Sequence, residues 1–180
     1  MERVVTNSML VFLRRHGVIN RQQHGFLSGR STSTNLLETL NDWTLTINDK
    51  KSIAVTYIDF AKAFDTVSHD KLLVKLAGYG ITGQLLLWIN SFLRYRTQQV
   101  KIGQSLSNIA NLTSGVVQGS VLGPLLFVLF INDITNLFAN SKCTCKLYAD
   151  DVKLYTVLQS DADCVELQSK LNDICVWSDK

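Results

Sequence analysis

Three aspartates carry the chemistry this sequence could perform. Asp59 lies near the end of the apolar, β-branched stretch 52–60 (SIAVTYIDF). Asp150 and Asp151 sit side by side in Tyr148-Ala149-Asp150-Asp151, flanked by strand-like residues. A carboxylate beside apolar strands is costly to bury unless it is paired or bound to a metal. Two adjacent carboxylates also repel each other, and a bound cation relieves that; Mg²⁺ favours carboxylates together with substrate phosphates. Three carboxylates on neighbouring strands can hold two ions ~4 Å apart, the clamp used for in-line phosphoryl transfer. One ion then activates the attacking hydroxyl and the other steadies the leaving pyrophosphate. The plainer reading of the pair is turn chemistry, since Asp-Asp at a hairpin tip needs no catalytic explanation.

Such carboxylates need rigid elements to carry them. Residues 52–60 predict a strand, and their nearly unbroken apolar character predicts a central, buried one. Residues 146–155 predict two short strands joined at Asp150-Asp151. A helix over 1–16 places Val4, Val5, Met9, Phe12 and Leu13 on one face, and Gly17 ends it. A polar loop follows over 22–33, then a helix over 34–49 with Leu36, Leu37, Leu40, Trp43 and Ile47 as its apolar residues. Ser68 is placed to cap a helix over 69–78, and another helix covers 83–93. Residues 98–102 and 107–113 can pair as a hairpin around Gly103. A glycine-punctuated loop spans 115–123, Pro124 suits the first turn of a helix reaching Leu137, and a last helix covers 161–177. Repeats, low-complexity stretches and linkers are absent, so the pattern reads as one α+β unit.

The 180 residues suit one domain with a real core. An apolar share of 46% excludes a disordered chain, and a charged share of 18% implies extensive burial. With a net charge of only +3, an anionic partner would have to be met by a local patch. The longest apolar run, 121–131, is broken by Gly123 and Pro124 and falls short of the ~20 residues a bilayer span needs, so no membrane partner is expected. Cys143, Cys145, Cys164 and Cys175 form no CxxC pair. Cys143-Thr144-Cys145 would turn both sulfurs to one face of a strand, but structural or free thiols in a reducing compartment are the expectation.

Four blocks, in order, resemble the reverse transcriptases of non-LTR (LINE-type) retrotransposons: Gln23-His24-Gly25-Phe26-Leu27-Ser28-Gly29-Arg30-Ser31-Thr32, Tyr57-Ile58-Asp59-Phe60-Ala61-Lys62-Ala63-Phe64-Asp65-Thr66-Val67-Ser68-His69, Ser114-Gly115-Val116-Val117-Gln118-Gly119-Ser120-Val121-Leu122-Gly123-Pro124-Leu125, and Tyr148-Ala149-Asp150-Asp151. The resemblance runs through nearly the whole chain. It implies an α+β right-hand polymerase palm: an antiparallel sheet with helices packed on one face, plus a partial fingers segment. Residues 1–50 would be the fingers part and 51–180 the palm.

The implied activity is RNA-directed DNA polymerisation, nucleotidyl transfer from dNTP to a primer 3′-hydroxyl. An RNA template, a DNA primer and dNTP would be the partners, with two Mg²⁺ ions, or Mn²⁺, as cofactors. Asp59, Asp150 and Asp151 would be the catalytic metal ligands, with the backbone carbonyl of Phe60 completing one shell. Phe64 would lie against the sugar and favour dNTP over NTP. Gln118 and Gly119 would line the nucleotide and template pocket, where glycine permits close backbone approach. Arg30 would grip the triphosphate with its planar fork.

Asp65 reads as structural, orienting the turn into the next helix, and His69 has the same reading. Arg94, Arg96 and Lys101, with Tyr95 among them, fit either template–primer contacts or a solvated hairpin face. Leu27 departs from the pattern, because many relatives carry arginine there. The upstream fingers, a lysine-bearing segment after the last helix, and the thumb are expected to lie outside these residues. A non-catalytic remnant or interaction module and an RNA-directed RNA polymerase are the alternatives. Phe64 discriminates against the polymerase alternative. A metal nuclease would have no use for the Gln118-Gly119 loop.

Overall fold

The computed structural model describes residues 1–179. The chain parts into two compact units interleaved along the sequence. One comprises Met1–Val18 and Lys62–Phe130; the other comprises Ile19–Ala61 and the chain from Ile131 onward.

The first unit is helical. Helix α1 (Glu2–Arg15) buries Thr6, Met9 and Leu13. Val4, expected on that face, is 68% exposed, because the stripe set by Met9 and Leu13 continues back through Thr6 at helical spacing. Helix α3 (His69–Gly78) starts as predicted, with the Ser68 hydroxyl accepting from the Lys71 amide at 3.4 Å. Helix α4 (Gly83–Leu93) buries Ile89 and Leu93. The segment between α4 and the glycine-rich loop forms two small ladders. In these β2 (Thr97–Gln98) pairs with β5 (Ala110–Asn111), and β3 (Lys101–Ile102) pairs with β4 (Ser105–Leu106) around Gly103. Helix α5 (Gly123–Ile131) carries Pro124 in its first turn and buries Leu125, Leu126, Phe127, Val128 and Leu129. Its amino end is held by Glu2, whose carboxylate accepts from the Val121 and Leu122 amides at 2.8 and 3.2 Å. The expected continuation to Leu137 is instead a 3-10 segment, Asn132–Phe138.

The second unit is built on a three-stranded antiparallel sheet of β1 (Ser52–Ile58), β6 (Thr144–Tyr148) and β7 (Asp151–Leu158), in the order β1-β7-β6. The centre is therefore β7, buried from Val152 to Thr156, and β1 is an edge. This corrects the expectation of a central β1. An apolar run reports what a strand can bury, not how many strands flank it, and here Val55 and Tyr57 are exposed. Helix α6 (Asp161–Asp179) packs against β7.

Helix α2 (Thr32–Asn48) begins in a capping box in which Ser31 and Thr34 exchange side-chain and backbone hydrogen bonds. Its packing reverses the expectation from its leucines. Leu36, Leu37, Leu40 and Ile47 are all at least half exposed, while Asn35 and Thr39 are buried. The sheet surface beneath α2 explains this, because it presents Lys146, Lys153 and the Tyr155 hydroxyl. Lys146 meets Glu38 at 2.6 Å, Lys153 meets Thr39 at 3.3 Å, and the Tyr155 hydroxyl donates to Asp42. A polar stripe satisfies buried polar groups that leucines would leave unpaired.

Cys143 and Cys145 are buried and free, and burial pushes the Cys145 thiol up to about 12, which keeps it protonated and inert. Among the described residues no helix is long and apolar enough to cross a membrane.

Candidate active site

The three aspartates all belong to the sheet unit. Strands β6 and β7 pair Tyr148 with Asp151, leaving Ala149 and Asp150 as a two-residue turn. The turn thus lies one residue earlier than expected, and Asp151 opens β7 instead of sharing the tip. Ala149 has φ +55, whereas Asp150 is not in the positive-φ region. A positive φ at the first central position alone is the type II′ pattern, which suits a right-twisted hairpin and usually takes glycine there.

Strand β1 meets β7 with Ile58 opposite Val152. One step further, that register sets Asp59 opposite Asp151. Both line a cavity of about 390 Å³ together with Tyr57, Tyr148, Lys146 and Lys153. Asp150 is outside that lining. Asp59 and Asp151 are exposed and Asp150 is half-buried, so burial cost is not what a cation would relieve here. Among the described residues no three His, Cys, Asp or Glu side chains are gathered into a ready metal cage. The donors present are carboxylate oxygens open to solvent. That set suits a hard cation which keeps waters and takes further oxygens from substrate phosphates.

Phe60 follows Asp59 directly, and its ring stands 6.0 Å from that of Trp177. Arg30 donates through Nη1 to the carbonyls of Arg21 and Gln23, the latter at 2.6 Å. These bonds occupy part of a fork with five donors.

Phe64, Gln118 and Gly119 lie in the helical unit, and the fold gathers them. They line one cavity of about 270 Å³ with Val116, Val117 and Pro124. The Phe64 ring stacks on Phe127 at 4.1 Å and 18°, which fixes its plane. Gln118 donates from Nε2 to Asp65 Oδ1 at 2.6 Å. The Ser114 hydroxyl donates to the Asp65 carbonyl at 2.8 Å, and the Val116 amide to the Phe64 carbonyl at 2.9 Å. Asp65 is therefore structural in a more specific sense than orienting a helix: it ties down the loop that carries Gln118. His69 is buried with Nε2 at 2.8 Å from the Gly115 carbonyl, which supports its reading as an anchor. Gly119 has φ +79, and no protein atom lies within 4 Å of the Cβ it lacks. Among the protein's own atoms, glycine supplies a left-handed backbone there, not clearance.

Of the cationic residues near the hairpins, Arg94 pairs with Asp70 and Arg96 lies over the Phe92 ring at 5.4 Å. Lys62 and Arg96 border a polar cavity of about 610 Å³ with Asp65 and Gln118.

Sequence reasoning missed Lys146 and Lys153 as neighbours of the carboxylates. Period two was the available signal, because Lys146 precedes Tyr148, and Lys153 follows Asp151, by two residues on one face. It also gave Gln23 no role, although Gln23 is 1% exposed and bonded to the turn.

An antiparallel hairpin with an Asp-Asp pair, facing a third aspartate at the end of the neighbouring strand, defines a right-hand polymerase palm. Solved structures share the fold. Telomerase from Candida tropicalis truncated from its C-terminal domain superposes with a TM-score of 0.67 over 94% of this chain and 36% of that one, at 15% identity. Telomerase from Candida albicans, solved in complex with a fragment of telomeric RNA, has the same TM-score at 13% identity, over 94% of this chain and 32% of its own. Residues 2–180 match the family described as reverse transcriptase (RNA-dependent DNA polymerase), and the chain belongs to it. Similar curated proteins include a probable RNA-directed DNA polymerase from transposon BS of Drosophila melanogaster, 29% identical over 98% of this chain. The RNA-directed DNA polymerase from the mobile element jockey of the same species is 34% identical over 74%. The chain spans 20% of the first and 14% of the second.

Proposed function

We propose that this chain carries the catalytic core of an RNA-directed DNA polymerase of a non-LTR retrotransposon, transferring a nucleotidyl group from dNTP to a primer 3′-hydroxyl on an RNA template. The observation that carries this reading is that Asp59 and Asp151 line one cavity at the open end of the β1–β7 ladder, with Asp150 in the adjoining turn. Asp59, Asp150 and Asp151 hold a pair of divalent cations, Mg²⁺ or Mn²⁺, with the Phe60 carbonyl as a further oxygen donor. Bound there, such ions supply activation of the primer hydroxyl and charge neutralisation on the leaving pyrophosphate.

The remaining work is positioning. Phe64, its plane set by Phe127, presents a ring edge to the sugar and excludes a 2′-hydroxyl. Gln118, held by Asp65, and Gly119 receive the nucleotide. Arg30 offers its free donors to triphosphate oxygens. Binding of the template and primer falls to Lys and Arg contacts with phosphates, which supply affinity without reading sequence.

Primer extension on an RNA template with dNTP tests the proposal. Wild type extends the primer, and Asp150→Ala and Asp59→Ala each reduce extension by about a thousandfold or more, as expected for groups that hold the reacting charges. Equal extension by wild type and Asp150→Ala would overturn it.

A further inference from the structure

We infer that Gln23 is a positioning residue for the aspartate turn: its side-chain amide holds Ala149 in the left-handed conformation that sets where Asp150 projects. This rests on the polymerase reading for its functional meaning, though not for its geometry.

The argument begins with the turn. Ala149 carries φ +55, a conformation that costs an L residue with a Cβ more than it costs glycine. Its residue is also 4% exposed, which is unusual for the tip of a two-residue hairpin. Something must cover it and satisfy its backbone groups. Gln23 does both. Oε1 accepts from the Ala149 amide at 2.9 Å and from the Gly25 amide at 2.7 Å, and Nε2 donates to the Ala149 carbonyl at 3.4 Å. One side chain thereby brackets both peptide groups of the strained residue.

The bracket is itself fixed. The Leu147 amide donates to the Gln22 carbonyl and the His24 amide to the Leu147 carbonyl, both at 2.9 Å, so the Gln23 backbone runs beside β6 as a short parallel bridge. Arg30 donates to the Gln23 carbonyl at 2.6 Å. At Gly25 an added Cβ would lie 2.3 Å from the Ala149 nitrogen, so the loop seats directly on the turn because that residue is glycine. Gln23 and Gly25 thus brace the Tyr148–Asp151 turn across more than a hundred residues of sequence.

A carboxylate that must meet reacting groups gains from a backbone held in one state, because misplacement by ~1 Å can cost about a hundredfold in rate. The brace predicts a local effect that a general loss of stability would not give. By amide hydrogen exchange, Gln23→Ala speeds exchange at Ala149 at least tenfold while Leu154 and Tyr155 in central β7 keep their protection. Gln23→Glu keeps the acceptor, so the Ala149 amide stays protected. Equal acceleration throughout the sheet, or no change at Ala149, would refute the brace.

The kinetic arm uses single-nucleotide primer extension. Gln23→Ala lowers kcat by about a hundredfold with KM for dNTP little changed. Adding Ala149→Gly, which removes the conformational cost the brace offsets, restores most of the rate; failure to restore it counts against the assignment. If the wild-type chain does not extend a primer, that counts against the polymerase reading, and hydrogen exchange alone decides the brace.

Discussion

Lys146 and Lys153 stand directly opposite each other across β6 and β7, both buried, with one half-exposed carboxylate, Glu38, bonded to Lys146. Lys153 has the Thr39 hydroxyl at 3.3 Å and the rings of Trp43 and Tyr57 at 5.8 and 5.7 Å. Burial lowers its pKa, and the Lys146 charge lowers it further. A depressed lysine pKa means that the protonated form costs stability at every pH below the native value, a cost that fades as pH rises towards 10.5. Lys153→Met, close in length and apolar, should therefore leave the fold intact and raise stability by about 1 kcal/mol at pH 7, measured by urea denaturation. A loss of stability would show that the contacts of Lys153 with Thr39, Trp43 and Tyr57 outweigh the cost of burying its charge.

The same polar seam makes a prediction about α2. Thr39→Val removes the hydroxyl that serves Lys153 and should cost about 1–3 kcal/mol, since it strands a buried donor. Leu37→Gln, on the exposed face, should stay within about 0.5 kcal/mol of wild type. Thermal unfolding of the two variants gives the order, and the reverse order would mean that the leucines are the packed face.

Acid stability should report His24. It is 1% exposed, with Nδ1 2.9 Å from the Thr34 hydroxyl and Nε2 3.4 Å from Glu38. Desolvation lowers its pKa from 6.5, with Glu38 only partly opposing. The native state then binds fewer protons than the unfolded chain below pH 6.5, so stability falls as pH drops from 6.5 towards the native value, by at most about 1.4 kcal/mol per unit. His24→Gln should flatten that slope in denaturation curves between pH 6.5 and 5. The Glu38 pKa is also lowered, which places its own loss below 4.5, outside this window.

Two glycines with positive φ should separate cleanly. A Cβ at Gly115 would meet the Asp65 carbonyl oxygen at 2.9 Å and its Cα at 3.0 Å, whereas one at Gly119 would meet nothing within 4 Å. Gly115→Ala is expected to cost about 2–4 kcal/mol, conformational strain plus collision. Gly119→Ala should cost only the ~1–2 kcal/mol of the left-handed backbone. Equal melting temperatures would contradict the tight seating of Asp65.

Sugar discrimination tests Phe64. In primer extension, Phe64→Ala should raise the ratio of NTP to dNTP use by about tenfold or more, that is ~1.4 kcal/mol of lost discrimination. An unchanged ratio would remove Phe64 from the gate while leaving its stack on Phe127 to explain its presence.

The elements of this fold were readable where periodicity and caps agree. Helices α3 and α4 begin and end as predicted, and the Ser68 cap is present. The carboxylate-bearing strands were readable too, because β-branched runs bounded by turn residues specify strands. Strand order was not, since β1 pairs with a partner about a hundred residues away and nothing local says it lacks a second one. The α2 face was misread because leucines at helical spacing ordinarily mark the core, and only the sheet's lysines reveal why they do not here. The turn was misplaced by one residue because Asp-Asp is the better turn former by composition. Ala149 occupies the left-handed position only because Gln23 and Gly25 brace it, a long-range fact.

The pairing of β1 with β7 also sets an order of events during synthesis. Ninety-three residues lie between Ile58 and Val152 on adjoining strands. At ~5–20 residues per second, a ribosome leaves β1 waiting for roughly 5–20 seconds, and the Gln23 loop for longer, before their partners exist. The helical unit, complete once Phe130 has emerged, can form in that interval. The sheet that carries Asp59 and Asp151 is therefore the late-assembling part of this chain, and slowing translation within 131–158 would lengthen the time that a β-branched edge stays unpaired.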